Sequence, residues 1–174
     1  MKIGRTVISA EEIEEKLTEM GAAITRDYAD KDLLLVGILK GAFVVMADLA
    51  RHIDLPVEFD FMAISSYGSA TKSSGVVRIL KDLDQEIEGR HVLIVEDIVD
   101  TGLTLQYLLK NLQVRRPASL SLAALMIKDG IDRPPLDIRY EGFHIPPAFV
   151  VGYGLDFDGR YRNLPYVAEV DDVG

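Results

Sequence analysis

The chain has no cysteine in its 174 residues. Disulfides are therefore excluded, and so are metal sites built on thiolates. Its three histidines, His52, His91 and His144, fit neither a metal-ligand spacing nor a nucleophile–base pair. No serine sits in a G-x-S-x-G elbow. Positive charge is scarce: 19 lysines and arginines face 28 aspartates and glutamates, giving a formal net charge of -9. That balance argues against broad nucleic-acid binding, which depends on cationic neutralisation of phosphates. It leaves room for a small anionic ligand held by backbone N–H groups or through a cation. No apolar run approaches the ~20 residues that a membrane span requires. The N-terminal MKIGRTVISAEEIEEKL turns acidic too soon for a secretory signal. Together these absences predict a cytoplasmic protein without membrane or nucleic-acid partners. Repeats, low-complexity tracts and linkers are also lacking.

Apolar residues make up 48% of the chain, enough for one core, and the length suits a single domain over 1–174. Ser9 and Glu12 have capping-box spacing, and Ile13, Leu17, Met20 and Ile24 recur at helical spacing. LLLVGIL (33–39) is a continuous apolar run, as in a buried parallel strand. A helix follows from about Ala42 to His52. VEFDFMAIS (57–65) alternates, placing Val57, Phe59, Phe61 and Ala63 on one face. Further strands are expected at VVRIL (76–80), HVLIVED and SLSLAALMI (119–127), with LTLQYLLKNLQ as a helix. Strands alternating with helices predict an α/β fold with a parallel central sheet. Ligands in such sheets bind at the carboxyl ends of the strands. Four segments place unusual polar residues there: LKGA, VEDIVDTG, MIKDG and GYGLDFD.

The most informative stretch is VLIVEDIVDTGLTL (92–105). A strand followed by a capped helix accounts for it in part, with Asp100 or Thr101 as cap and Gly102 easing the turn. But Glu96 and Asp97 are adjacent, so on an extended chain they point to opposite sides. From Asp100 through Thr101, Gly102, Leu103 and Thr104, small and hydroxylated residues surround a glycine at a helix start. N–H groups there can converge on an anion with help from the helix dipole. One segment thus offers a phosphate site beside carboxylates suited to vicinal hydroxyls. It is neither a Walker A loop nor a dinucleotide fingerprint.

VLIVEDIVDTGLTL closely resembles the phosphoribosyl-pyrophosphate motif of type I phosphoribosyltransferases. GILKGAF, SSYG, the lysine of MIKDG and FVVGYGLDFDGRYRNLPYV resemble the hypoxanthine-guanine branch, in the same order, from about residue 33 to 170. The compact bacterial form is the most similar. The resemblance implies a mostly parallel sheet flanked by helices, with a small hood made from the N- and C-terminal segments. It implies a purine-salvage reaction moving a 5-phosphoribosyl group from phosphoribosyl pyrophosphate to N9 of hypoxanthine or guanine, with Mg2+ and a dimeric or tetrameric assembly.

The same resemblance distributes roles. Glu96 and Asp97 would meet ribose hydroxyls and the shell of Mg2+, partly through water, with Asp156 near a second metal. Asp100 to Thr104 would hold the 5'-phosphate. Lys40 and Gly41 form the pyrophosphate loop, where a cis Lys-Gly peptide is expected, and Arg162 meets the same group. Ser66 and Tyr67 belong to a lid. Lys128 donates to the oxygen at purine C6, Phe149 stacks on the base, and carbonyls near Val150 meet its edge. Asp100 is the general base, and crowding by other acids would raise its pKa. Arg133 would reach pyrophosphate, although KDGIDRPP departs from longer family versions. Each of these residues also has an ordinary explanation: a solvated lysine, a hairpin tip, core packing or a surface arginine. Two alternatives stay open at this point. One is transfer to xanthine, adenine, uracil or orotate. The other is a nucleotide-sensing regulator with the same fold, RNA-binding forms included.

Overall fold

A computed structural model describes residues 2–66 and 77–171. The chain opens with β1 (Lys2–Ile8) and α1 (Ala10–Asp27), then β2 (Leu33–Leu39) and α2 (Ala42–Ala50). Next come β3 (Glu58–Ser66), β4 (Val77–Lys81), β5 (His91–Val99), α3 (Leu103–Gln113) and β6 (Ser119–Lys128). It closes with β7 (Tyr140–Ile145), β8 (Val150–Val151) and β9 (Val167–Asp171).

Six strands form the main sheet in the order β4-β3-β2-β5-β6-β7. All its pairs are parallel except β3 with β4. β2 and β5 lie at the centre and are buried on both faces, which is why they read as unbroken apolar runs. One face carries α1 and α2 over Leu33, Leu35, Leu93 and Val95. The other carries α3 over Leu34, Val36, Val92 and Ile94. A separate antiparallel sheet, β1-β9-β8, joins the two ends of the chain. This is the hood that the resemblance implied.

α1 starts on the expected reciprocal cap. Ser9 Oγ accepts from the Glu12 N–H at 3.1 Å, and Glu12 Oε2 accepts from the Ser9 N–H at 2.7 Å. Ile13, Leu17, Met20 and Ile24 form its buried stripe. α2 stops at Ala50, two residues earlier than expected, where the Arg51 and His52 N–H groups bond back to Asp48 and Leu49.

β3 departs most from expectation. Its buried positions are Asp60 and Met62, whereas Phe59 is 45% exposed. The aromatic face lies on the α2 side, where Phe61 packs partly against the core and Phe59 lines a surface cavity with Phe43 and Ala50. Asp60 is buried because its carboxylate ties β3 to the chain beyond β4. It accepts from the N–H groups of Phe61 at 2.8 Å, Asp84 at 3.0 Å and Gln85 at 3.1 Å. Asp60→Ala would leave these donors without their acceptor and should cost roughly 3 kcal/mol. Urea unfolding measures this directly; a loss below about 0.5 kcal/mol, the level of a neutral surface change, would contradict the role.

Candidate active site

The carboxylates lie within the expected strand, which runs two residues further than HVLIVED, to Val99. β5 continues through Glu96 and Asp97 to Val99, with Glu96 opposite Ala124 and Val99 opposite Ile127 on β6. Pleating sends the two acids to opposite faces, and each opens into its own cavity. Asp97 lines a cavity of about 250 Å3 together with Gly41, Asp100, Lys128, Phe149, Val150, Asp156 and Arg162. Glu96 lines a neighbouring one of about 170 Å3 with Thr101, Gly102 and Thr104. Ile98 and Asp100 border both. Residues spread from 41 to 162 are therefore brought together at the carboxyl ends of β2, β5 and β6, beneath the hood.

The smaller cavity suits an anion. Gly102 is the N-cap of α3 with φ of 73°, and no side chain caps the helix. Neither Asp100 nor Thr101 serves as cap, so the first-turn N–H groups are not taken by a side-chain acceptor. Gly102 is favoured by its positive φ, which side chains rarely adopt. The Leu103 side chain points partly to solvent, at 38% exposure, so only its backbone is placed to serve the loop.

The larger cavity is bounded by close backbone approaches. A Cβ on Gly41 would come within 2.0 Å of Asp97 Oδ2, so the loop between β2 and α2 can press on the acid only as glycine. Lys40 is exposed and its side chain lines neither cavity. The cis peptide is Leu39–Lys40, not the expected Lys40–Gly41. Gly41 already has helical dihedrals as N-cap of α2, so the bond after Lys40 leads into the helix and the departure falls at the end of β2. Arg162 reaches in from the hood, donating to the Gly154 carbonyl at 2.6 Å and pairing with Asp156 at 3.2 Å. Phe149 is 44% exposed at the rim, edge-on to Phe157 with centroids 5.7 Å apart. Val150 is buried behind it in β8.

Asp100 and Lys128 meet across the ends of β5 and β6, Nζ to Oδ2 at 3.2 Å. Acid crowding was expected at Asp100; it falls on Glu96 and Asp97 instead, and the charged partner of Asp100 is a lysine. Glu96 is held well above the usual carboxylate range, first by burial and then by Asp97. Burial also raises Asp97, opposed by the Ile98 and Asp97 N–H groups and by the charge of Arg162. Among the described residues no three acidic or histidine side chains cluster as direct metal ligands. Glu96, Asp97 and Asp156 are thus not a closed ligand cage: Asp97 and Asp156 share one cavity and Glu96 faces the other. Ser66 ends β3, while Tyr67 of the expected lid lies outside the described residues. Ile98 and Leu155 line the site without having been singled out, since nothing distinguishes them from core residues in sequence. The Arg133 guanidinium turns to backbone carbonyls of the site, not into either cavity.

Comparison with known proteins gives a consistent result. Residues 8–158 match the phosphoribosyl transferase domain family. The chain is 53% identical over 175 residues to the hypoxanthine-guanine phosphoribosyltransferase of Mycobacterium avium, covering 97% of this chain and 86% of that protein. It is 50% identical over 165 residues to the protein of the same name from Bacillus subtilis, covering 95% and 92%. A solved hypoxanthine phosphoribosyltransferase from Staphylococcus aureus superposes with a TM-score of 0.94 at 43% identity, over 97% of this chain and 92% of that one.

The titration of the acid pair has a consequence for stability. Glu96 binds its proton more tightly in the folded state than in the unfolded chain. Its contribution is therefore full below the ordinary glutamate pKa and is lost as pH rises through the higher folded value. Glu96→Gln cannot ionise, so it should be more stable than the parent at about pH 8, with the gap closing near about pH 4. Thermal melts across this range check it; a gap independent of pH would contradict the assignment.

Proposed function

The chain belongs to the phosphoribosyltransferase family, with hypoxanthine-guanine phosphoribosyltransferases among its relatives at about half identity, and from that premise we propose how its residues carry out that reaction. The enzyme transfers the 5-phosphoribosyl group from phosphoribosyl pyrophosphate to N9 of hypoxanthine or guanine, giving IMP or GMP and pyrophosphate. The observation that carries the residue assignment is the convergence of Gly41, Asp97, Asp100, Lys128, Phe149, Asp156 and Arg162 on one cavity. Beside it lies an uncapped helix start.

Thr101 to Thr104 hold the 5'-phosphate with backbone N–H groups, assisted by the two threonine hydroxyls. Glu96 and Asp97, on opposite sides of β5, bracket the ribose. Gly41 and Arg162 face the pyrophosphate, with the Lys40 backbone beside them. Phe149 stacks on the purine. Asp100 and Lys128 lie 3.2 Å apart, a spacing that suits the purine edge on which N7 and O6 are neighbours. Lys128 donates to O6, where adenine carries an amino group that cannot accept in the same way. Asp100 takes the imidazole proton as general base. As the bond from C1 to pyrophosphate breaks, positive charge builds on the sugar, and the acids stand where it develops.

A divalent cation fits this site. Its donors are hard carboxylate oxygens of the kind Mg2+ prefers, and two buried acids with raised pKa values gain from a cation nearby. With no side-chain cage present, Mg2+ would be held largely by substrate oxygens and water, beside Asp97, Asp156 and Glu96. When bound it supplies charge neutralisation for the leaving pyrophosphate. The reading also includes a cytoplasmic location and a homo-oligomer. The latter is supported by Phe43 and Phe59, large apolar side chains 47% and 45% exposed on one surface.

Asp100→Ala should lower turnover by about a hundredfold while phosphoribosyl-pyrophosphate affinity changes by less than about threefold. Equal losses in both would remove the general-base role. Lys128→Ala should reduce the preference for hypoxanthine and guanine over adenine by about tenfold or more. Unchanged selectivity in competition assays would refute that assignment.

A further inference from the structure

Arg133 occupies an unusual position for a charged side chain. Among the described residues it forms no ion pair, and its hydrogen bonds go to main-chain carbonyls. Its Nε donates to the Asp100 carbonyl at 3.0 Å, and its Nη2 donates to the Lys128 carbonyl. These are the residues whose side chains meet at 3.2 Å. The ladder between β5 and β6 ends at Val99 opposite Ile127. Asp100 and Lys128 are the next residues along each strand, so no rung between these two strands fixes their spacing. Asp100 is also half exposed and leads into the loop before α3.

We propose that Arg133 is a positioning residue that replaces the missing rung, gripping the carbonyls of Asp100 and Lys128 so that their side chains are held at the spacing of the purine edge. A guanidinium suits this task because its donors form a rigid planar fork, so two bonds set both distance and angle. A lysine carries its three N–H donors on one rotatable nitrogen; it can reach two carbonyls, as Lys81 does with Phe61 and Asp82, but it has no planar fork to set their spacing. The role differs from direct contact with pyrophosphate, which Arg162 already approaches from the hood. It also explains how the short KDGIDRPP turn serves the site: the turn brings residue 133 back beside residue 128. This inference rests on the roles given above to Asp100 and Lys128.

The test uses the full-length enzyme with Arg133→Gln, Arg133→Lys, Asp100→Ala, Lys128→Ala and the double variant Arg133→Gln/Lys128→Ala. Steady-state kinetics with hypoxanthine, guanine and adenine are read beside pyrophosphate binding. Both Arg133 variants should lose about tenfold or more in kcat/KM for the 6-oxopurines and discriminate less against adenine, while pyrophosphate Kd moves by less than about threefold. Arg133→Lys keeps the charge and the stem, so it reads the fork even if Arg133→Gln folds poorly. In the Lys128→Ala background the effect of Arg133→Gln should shrink to less than about threefold, because the two act on one element. Three results would overturn the proposal: wild-type kinetics in Arg133→Lys, a pyrophosphate Kd raised about tenfold, or full additivity with Lys128→Ala. Unaltered kinetics in Asp100→Ala and Lys128→Ala would instead overturn the roles beneath it. An impaired Asp100→Ala beside an unaffected Arg133→Lys would overturn this inference alone.

Discussion

Two carboxylates sit side by side near the carboxyl end of a central strand, where neither can be fully solvated. Burying ionisable acids beside one another costs free energy, and the protein answers by holding protons on them more tightly. A strand buried on both faces by two apolar cores carries that cost. The surrounding geometry follows from accommodating the pair. Gly41 has to be glycine because Asp97 occupies the space of its side chain. Arg162 comes in from the hood and its charge favours the ionised form of Asp97. Pleating separates the pair into two cavities, so one strand contributes an acid to each.

The hood gives the site its second wall. Its three strands come from the two ends of the chain, and the coil after β8 delivers Asp156 and Arg162 to the loop between β2 and α2. The Tyr153 hydroxyl donates to Asp48 on α2 at 2.5 Å, and burial together with this acid raises its pKa. The hood side of the site is thereby tied to the helix beneath it. The opposite side, with Asp100 and Lys128, is tied by Arg133 across the ends of β5 and β6. Arg133 spans the point where β5 and β6 no longer pair with each other, although Lys128 still pairs with Ile145 on β7.

Much of this could be read from residues alone, for physical reasons. β2 was legible at both ends because an element buried on both faces needs an unbroken apolar run. α1 was legible because its cap and stripe are local. The convergence of Gly41, Asp97, Asp100, Lys128 and Arg162 was legible because polar residues stand out where apolar strands end. Other features depend on contacts far apart in sequence. β1 and β9 are short, half exposed and paired across about the whole chain, so no local periodicity marks them. Asp60 looked like the polar member of an alternating strand, yet it is buried because the distant N–H groups of Asp84 and Gln85, with that of neighbouring Phe61, need an acceptor. Val99 reads as loop until β6 supplies its partner. The exposure of Phe59, the placement of the cis bond before Lys40 and the turn of Arg133 onto two carbonyls are likewise settled by three-dimensional neighbours.

We propose that this acid pair, its neighbouring helix start and the Asp100–Lys128 pair together form a site for a sugar phosphate and a 6-oxopurine. The most direct measurement is pyrophosphate release from phosphoribosyl pyrophosphate and Mg2+, with hypoxanthine, guanine, xanthine, adenine, uracil and orotate supplied one at a time. Release should be rapid with hypoxanthine and guanine and slight with adenine, uracil or orotate. No release with any base, or equal release with adenine, would contradict the proposal.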